Sequence, residues 1–294
     1  MADQSFVVLR QRGLLAVTGE DRRSFLQGLI SNDVNKVGAD RAVHAALLTA
    51  QGRYLHDFFV VERGEALLLD CEAERRADLQ RRLTLYRLRA KVALAPAEGS
   101  LIVGAAFGAG ARAALGLPDE AGAAVPFAGG VAYVDPRLPA LGARVILAEA
   151  ALPALRQAGF AEAEFAAYDR LRLANGIPDG SRDLAVEKAI LLESGFDELN
   201  GIDWQKGCYI GQELTARTKY RGLVKKRLMP VTVEGKLPAP GTPVLQGEAE
   251  AGELRSGQDG IALALLRLEA ASDGEALRAG EARLRPIKPD WARF

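Results

Sequence analysis

The sequence predicts an α+β protein of antiparallel strands that ends in a small C-terminal β-barrel. Three observations predict it. The first ninety residues alternate short apolar strands, an amphipathic helix and tight turns in an order that βαβ repeats do not produce. Beyond Leu223, short apolar stretches alternate with Pro and Gly turns at barrel-like spacing. A chain of 294 residues also exceeds what one core comfortably fills, so two or three domains are expected.

The elements follow in order. Phe6 to Leu9 and Leu14 to Val17 read as strands, and Thr18-Gly19-Glu20-Asp21 supplies N-cap chemistry for a helix. Phe25, Leu26, Leu29 and Ile30 mark its buried face, and Ser31-Asn32-Asp33 breaks it. Val43 to Leu48, Tyr54 to Glu62 and Ala66 to Asp70 read as strands, the first two joined by a turn at Gln51-Gly52. From Glu72 a helix carries Leu79, Leu83 and Tyr86 on one face. Residues 96–140 mix short strands and helices, Arg144 to Leu147 is a strand, and Ala161 to Asn175 a helix ending at Gly176. Residues 177–222 are rich in polar and glycine signals, as site-bearing loops are. The expected domains are 1–95, 96–224 and 225–294, the last a barrel with strands at Leu228 to Val233, Pro243 to Leu245, Ile261 to Leu268 and Ala282 to Leu284.

Thirty-eight Lys and Arg balance thirty-eight Asp and Glu, so no global field steers the protein to nucleic acid or a membrane. No apolar run approaches the roughly 20 residues of a membrane helix. The N-terminus, Met1 to Arg12, lacks a signal-like stretch, and a cytoplasmic protein with reduced thiols is expected. The potential soft ligands are Cys71, Cys208, His44 and His56, without metal-ligand spacing, which argues against a resident zinc or cluster.

The most informative segment runs from Gly201 to Gly222. Gly207 and Gly211 flank Cys208, suggesting a turn in close contact with something, and a helix opening after Gly211 would favour a thiolate or bound anion. Lys206 adds positive charge beside it. A small buried hydrophobe is the commoner fate of a free cysteine. Between Lys206 and Arg227 stand seven cations and one acid, Glu213. A solvated face explains most such runs, and a small polyanion or an acidic protein suits this one better than RNA, since only Tyr209 and Tyr220 could stack bases. Asn32-Asp33 fits ordinary turn chemistry. His56 and Asp57 interrupt an apolar strand, so one of them faces the interior and needs a partner.

Lys206-Gly-Cys-Tyr-Ile-Gly-Gln-Glu213 resembles the signature of the YgfZ family, whose mitochondrial relatives assist late iron–sulfur cluster assembly. Colinear blocks extend the resemblance: Phe25 to Val34, Leu47 to Val61, Asp169 to Leu173, Gly176-Ile-Pro178 and Leu192 to Arg227. Thr215 to Arg227 is closest to the mitochondrial-type branch. The resemblance implies a T-protein-like multi-domain ring of antiparallel sheets with flanking helices around a channel that holds tetrahydrofolate, plus the barrel. It implies that Cys208, Lys206, Gln212 and Glu213 belong to the functional loop. Asn32 and Asp57 become expected pterin contacts, Arg172 part of a folate-domain segment, and Arg217, Lys219 and Arg221 the site of the glutamate tail. Where the T-protein has a pterin-binding glutamate, this chain has Asp135-Pro-Arg137, and an arginine accepts no hydrogen bonds.

The resemblance therefore implies a tetrahydrofolate-binding accessory factor for assembly or repair of [4Fe–4S] proteins such as radical-SAM enzymes. Its expected partners are client or scaffold proteins, and the chain is taken as a monomer. A folate-dependent aminomethyltransferase is the second reading, and a tRNA-binding modification factor, supported only by the basic run, the third.

Overall fold

The computed structural model describes residues 4–274 and 276–293. Strands β1 (Gln4–Val8) and β2 (Arg12–Thr18) lead into helix α1 (Arg22–Gln27), followed by β3 (Val43–Leu48), β4 (Tyr54–Arg63), β5 (Ala66–Glu72), α2 (Arg76–Arg87) and β6 (Ala93–Pro96). Next come β7 (Leu101–Gly108), α3 (Ala111–Ala114), β8 (Ala124–Phe127), β9 (Gly130–Val134), β10 (Ala143–Ala148), α4 (Pro153–Gln157), β11 (Ala161–Glu162) and α5 (Phe165–Ala174). After an irregular stretch and α6 (Gln212–Tyr220) the chain forms β12 (Lys226–Glu234), β13 (Pro243–Gln246), β14 (Ala249–Gln258), β15 (Ile261–Arg267), α7 (Leu268–Ser272), β16 (Leu277–Ala279) and β17 (Ala282–Pro286).

Two compact units emerge, interleaved along the sequence: Met1–Leu48 with His56–Tyr168 and Asn200–Ile210, and Thr49–Leu55 with Asp169–Leu199 and Gly211–Phe294. The first unit holds a five-stranded sheet, β3-β4-β5-β2-β6, and a six-stranded sheet, β11-β1-β7-β10-β9-β8. The β1–β7, β2–β5 and β4–β5 ladders are antiparallel, and the short β1–β11 ladder is parallel. β3 and the first eight residues of β4 are buried on both faces, so they read as apolar runs rather than alternations. One core of the unit packs Phe6, Val134, Val145, Leu147 and Phe160. The second unit contains a closed barrel, β12-β15-β14-β13-β16-β17. Its interior is filled by residues such as Val231, Val244, Leu254, Leu266 and Leu284. Closure leaves that sheet without free edges.

The local differences from sequence have physical causes. α1 stops at Gln27; Leu29 and Ile30 are buried in the following turn, where Ile30 bridges Leu47. The helix expected from Ala161 begins at Phe165, because Ala161 and Glu162 pair in parallel with Ser5 and Phe6. It ends as expected, with Gly176 at a positive φ of 70°. Tyr86, expected on the packed face of α2, is exposed, whereas Leu79 and Leu83 are buried. β14 escaped notice because its sequence, Ala-Glu-Ala-Gly-Glu-Leu-Arg-Ser-Gly-Gln, is polar and bulged between Leu254 and Gly257.

Candidate functional site

The end of α1 explains the loop that carries the thiol. A helix terminus leaves carbonyls without intrahelical partners. The ammonium of Lys206 supplies one, donating to the carbonyl of Gln27 (2.8 Å) at the end of α1 and to those of Ile30 (2.5 Å) and Asn32 (2.8 Å) in the turn that follows. A cation there also suits the helix dipole. Burial pulls the Lys206 pKa down to about 8, while Asp33 and Asp203 pull it back, so the amine is charged at neutral pH. Its Nζ lies 5.1 Å from the centre of the Tyr209 ring.

Further bonds fasten the same loop. Asp203 Oδ1 accepts from the backbone N–H groups of Gln205 (2.7 Å) and Lys206 (3.1 Å). The Asp203 N–H donates to the Ser31 carbonyl, and the Ser31 hydroxyl donates to the Gly201 carbonyl at 2.6 Å. Beyond the cysteine, the Ile210 N–H donates to the Gly28 carbonyl at 3.2 Å. Cys208 thus lies between two anchors, with its free thiol exposed. Gly207 departs from expectation: a Cβ there would meet nothing within 4 Å, so no close approach demands it. Gly211 does need glycine, with φ at 80° as it caps α6.

A cavity of about 500 Å³ opens beside this loop within the first unit, lined among others by Asn32, Lys36, Arg41, His44, Pro136, Asn200, Trp204 and Gln205. Its cations are matched: Lys36 faces Asp203 at 2.6 Å, and Arg41 pairs with Glu120. Asn32 forms part of the wall, but its amide is already committed. It donates to the carbonyls of His44 and Asn200, both at 2.8 Å, and its oxygen accepts from the Asp33 N–H. Asp57 is buried and does not line the cavity; it reaches the wall through His44, whose Nε2 lies 3.2 Å from Asp57 Oδ2. Burial holds the His44 pKa below its ordinary value, against the pull of Asp57.

Behind that wall lies a charged interior. Phe59 is surrounded by the guanidinium carbons of Arg144 (4.1 Å), Arg137 (4.9 Å) and Arg12 (5.7 Å) from its ring centre. Asp70 accepts from Arg12 Nε at 2.7 Å and Arg144 Nη2 at 2.6 Å, and Tyr133 donates to it at 3.3 Å. Burial alone would raise the Asp70 pKa; Arg12 and Arg144 overcome it and hold the carboxyl below its ordinary value. Asp135 takes Arg137 on both oxygens, at 3.0 and 2.8 Å. That carboxylate is consumed by its own neighbour.

In the second unit, Arg172 is the hub of a buried hydrogen-bond cluster. It is 2% exposed and donates to Asp169 (2.6 Å), Asp183 (2.7 Å), the Ile177 carbonyl (3.2 Å) and Ser256 (2.7 Å). Gln212 and Glu213 open α6, and Arg217, Lys219 and Arg221 stand exposed on and just after it; none of these lines the cavity. Lys206 is likewise an anchor, with its three N–H bonds on carbonyls. Sequence reasoning overlooked Lys36, Arg41, Asn200 and Trp204, whose only signal was proximity to turns. Among the described residues, no group of three or more His, Cys, Asp or Glu side chains could hold a metal ion, and no helix is long and apolar enough to cross a membrane.

The fold and the exposed thiol define a class: an aminomethyltransferase-type scaffold with a cysteine loop mounted on it. A glycine cleavage system aminomethyltransferase T from Bartonella henselae matches over 99% of this chain and 87% of its own, with TM-score 0.78 and 16% identity, a likeness of fold alone. Residues 225–294 match the family described as CAF17, C-terminal beta-barrel domain. The iron–sulfur cluster assembly factor IBA57, mitochondrial, of Homo sapiens is 36% identical over 95% of this chain and 83% of its own length. Its Mus musculus counterpart is 34% identical over the same shares. The chain belongs to the IBA57 family of iron–sulfur cluster assembly factors. These relatives are named as mitochondrial, which overturns the cytoplasmic location expected from the N-terminus.

Proposed function

We propose that the chain is an iron–sulfur cluster assembly factor that works through Cys208 and binds a reduced folate in the cavity of its first unit. The observation that carries the reading is an exposed thiol on a loop anchored at Lys206 and Ile210, in a chain whose IBA57 relatives are cluster assembly factors. One thiolate supplies one of the four ligands that a [2Fe–2S] or [4Fe–4S] cluster takes, so the others must come from a partner protein. The cluster is cargo, and the fixed backbone on both sides presents the sulfur without a search for its conformation.

The cavity suits a pterin in size and chemistry: about 500 Å³ falls within the range of ligand sites, and Trp204 supplies a flat face. Lys36 and Arg41 at the same wall keep accessible side chains and would trade their present carboxylate partners, Asp203 and Glu120, for those of the glutamate tail. A folate there supplies a reduced pteridine ring; the chain's own part is to orient it, with Asp57 holding the His44 ring. Aminomethyl transfer is not favoured, since Asp135 spends both oxygens on Arg137.

The test is a strain lacking the gene, assayed for a [4Fe–4S] enzyme such as lipoate synthase. Activity falls in the deletion and returns with the wild-type chain; undiminished activity in the deletion refutes the assembly role. Calorimetric titration of tetrahydrofolate then addresses the cavity. A Trp204→Ala, Lys36→Ala variant is expected to weaken binding by at least about tenfold. Unchanged affinity removes the folate from this cavity.

A further inference from the structure

The basic residues Arg217, Lys219, Arg221 and Lys225 form an exposed surface in the second unit. On its inner side α6 is fixed. Thr215 and Thr218 are buried, and the Gln51-Gly52 turn packs so closely that a Cβ on Gly52 would lie 2.6 Å from Leu214 Cβ and 2.7 Å from the Gly211 carbonyl. The far end is closed equally firmly. The Gly222 N–H bonds to the Lys219 carbonyl at 3.1 Å and the Leu223 N–H to the Thr218 carbonyl at 3.0 Å, with Gly222 at φ 60°. This is a Schellman closure, which fixes the backbone through Leu223.

In such closures the residue at Leu223's position usually folds back onto the helix. Here Leu223 is 49% exposed and Tyr220 is 75% exposed. Two apolar side chains on a rigid backbone, both facing water, mark an interaction site more than a loose end. From Leu214 to Lys225 there are four cations, Arg217, Lys219, Arg221 and Lys225, and no acid, in a chain of zero net charge. Among the described residues, Arg217, Arg221 and Lys225 have no side-chain hydrogen bond or ion pair. Elsewhere the chain pairs its arginines closely, as at Arg137, Arg144 and Arg172.

We propose that this end of α6 is a docking surface for an acidic protein, with Tyr220 and Leu223 at its apolar centre and Arg217, Lys219, Arg221 and Lys225 around them. The inference rests on the assembly reading, which requires a partner to contribute cluster ligands. Charge complementarity selects the occupant: an apolar centre ringed by cations matches an apolar spot ringed by carboxylates. RNA fits less well, because Leu223 offers no face for stacking a base and Tyr220 is the lone exposed ring in the segment.

The test places a photo-crosslinking p-benzoylphenylalanine at Leu223 of the full chain, expressed in the gene-deleted strain. The expected adduct is one discrete acidic protein. Its yield falls by about tenfold or more in the Arg217→Glu, Arg221→Glu background, and by less in Arg217→Gln, Arg221→Gln, with thermal midpoints unchanged. The purified pair should bind at least about tenfold more weakly at 500 mM than at 50 mM salt. An adduct with RNA, an adduct with a second copy of this chain, or a yield indifferent to these charges overturns the proposal. Restoration of cluster-enzyme activity by the wild-type chain tests the assembly role separately, so either can fail alone.

Discussion

The two cysteines of this chain have the same side chain and opposite circumstances. Cys71 sits on β5, paired across from Gly13, with its thiol against the Gly13 carbonyl at 3.5 Å. Burial pushes that thiol up to about 12, beyond any helpful effect of nearby Arg12. It is a packing residue, inert at neutral pH. Cys208 is exposed on a loop fixed before it by the Lys206 ammonium and after it by the Ile210 N–H. The difference teaches that two like thiols are separated by access: one is sealed in a sheet, and the other stands in solvent on a loop anchored at both ends.

The largest expected effect breaks or upholds this comparison directly. Under native conditions a maleimide should modify Cys208 at least about a thousandfold faster than Cys71, since Cys71 becomes reachable only through opening of its sheet. Mass spectrometry of the labelled peptides reads the ratio; comparable rates would place both thiols in one class. Lys206→Met should cost about 3–5 kcal/mol, because three carbonyls lose their donor together. Urea denaturation measures the loss, and limited proteolysis should show new cleavage near residues 207–209. A change below about 1 kcal/mol would mean that the anchor does not hold the loop.

A smaller effect appears with pH. Burial, then Arg75, lowers the His56 pKa from 6.5 to about 4, against its bond to Asp78. The folded state thus resists a proton that the unfolded chain accepts. This contribution is complete above pH 6.5 and is lost as pH falls toward 4, at most about 3 kcal/mol. His44, lowered for the same reason, acts in the same direction. Thermal melts from pH 7.5 to 4.5 should fall, and His56→Gln should flatten part of the slope; an unaltered slope would contradict a buried neutral His56. Smallest is the pair Cys71→Ala and Cys208→Ala: about 1–2 kcal/mol lost for the buried thiol and under about 0.5 for the exposed one, read from melting curves.

Much of this was legible in the sequence. Strands such as Val43–Leu48 and Tyr54–Arg63 are apolar runs bounded by turns, and the barrel strands announce themselves between Pro and Gly. Cys208 stood out because its neighbours are polar and glycine-rich. What sequence hides is the use to which a polar side chain is put. Asn32 looked like a ligand contact, yet its amide serves the carbonyls of His44 and Asn200, 12 and 168 residues away. Arg172 looked like part of a binding segment, and Asp183 and Ser256 absorb it. Lys206 looked like an activator and serves as a staple. The cavity wall at Lys36, Arg41 and Trp204 is assembled from distant turns, which no local pattern marks.

The most direct measurement compares Cys208→Ser with Cys71→Ser, each expressed at wild-type level in the gene-deleted strain, by the specific activity of a [4Fe–4S] enzyme. The account predicts deletion-like activity with Cys208→Ser and near wild-type activity with Cys71→Ser. Full activity with Cys208→Ser would contradict it.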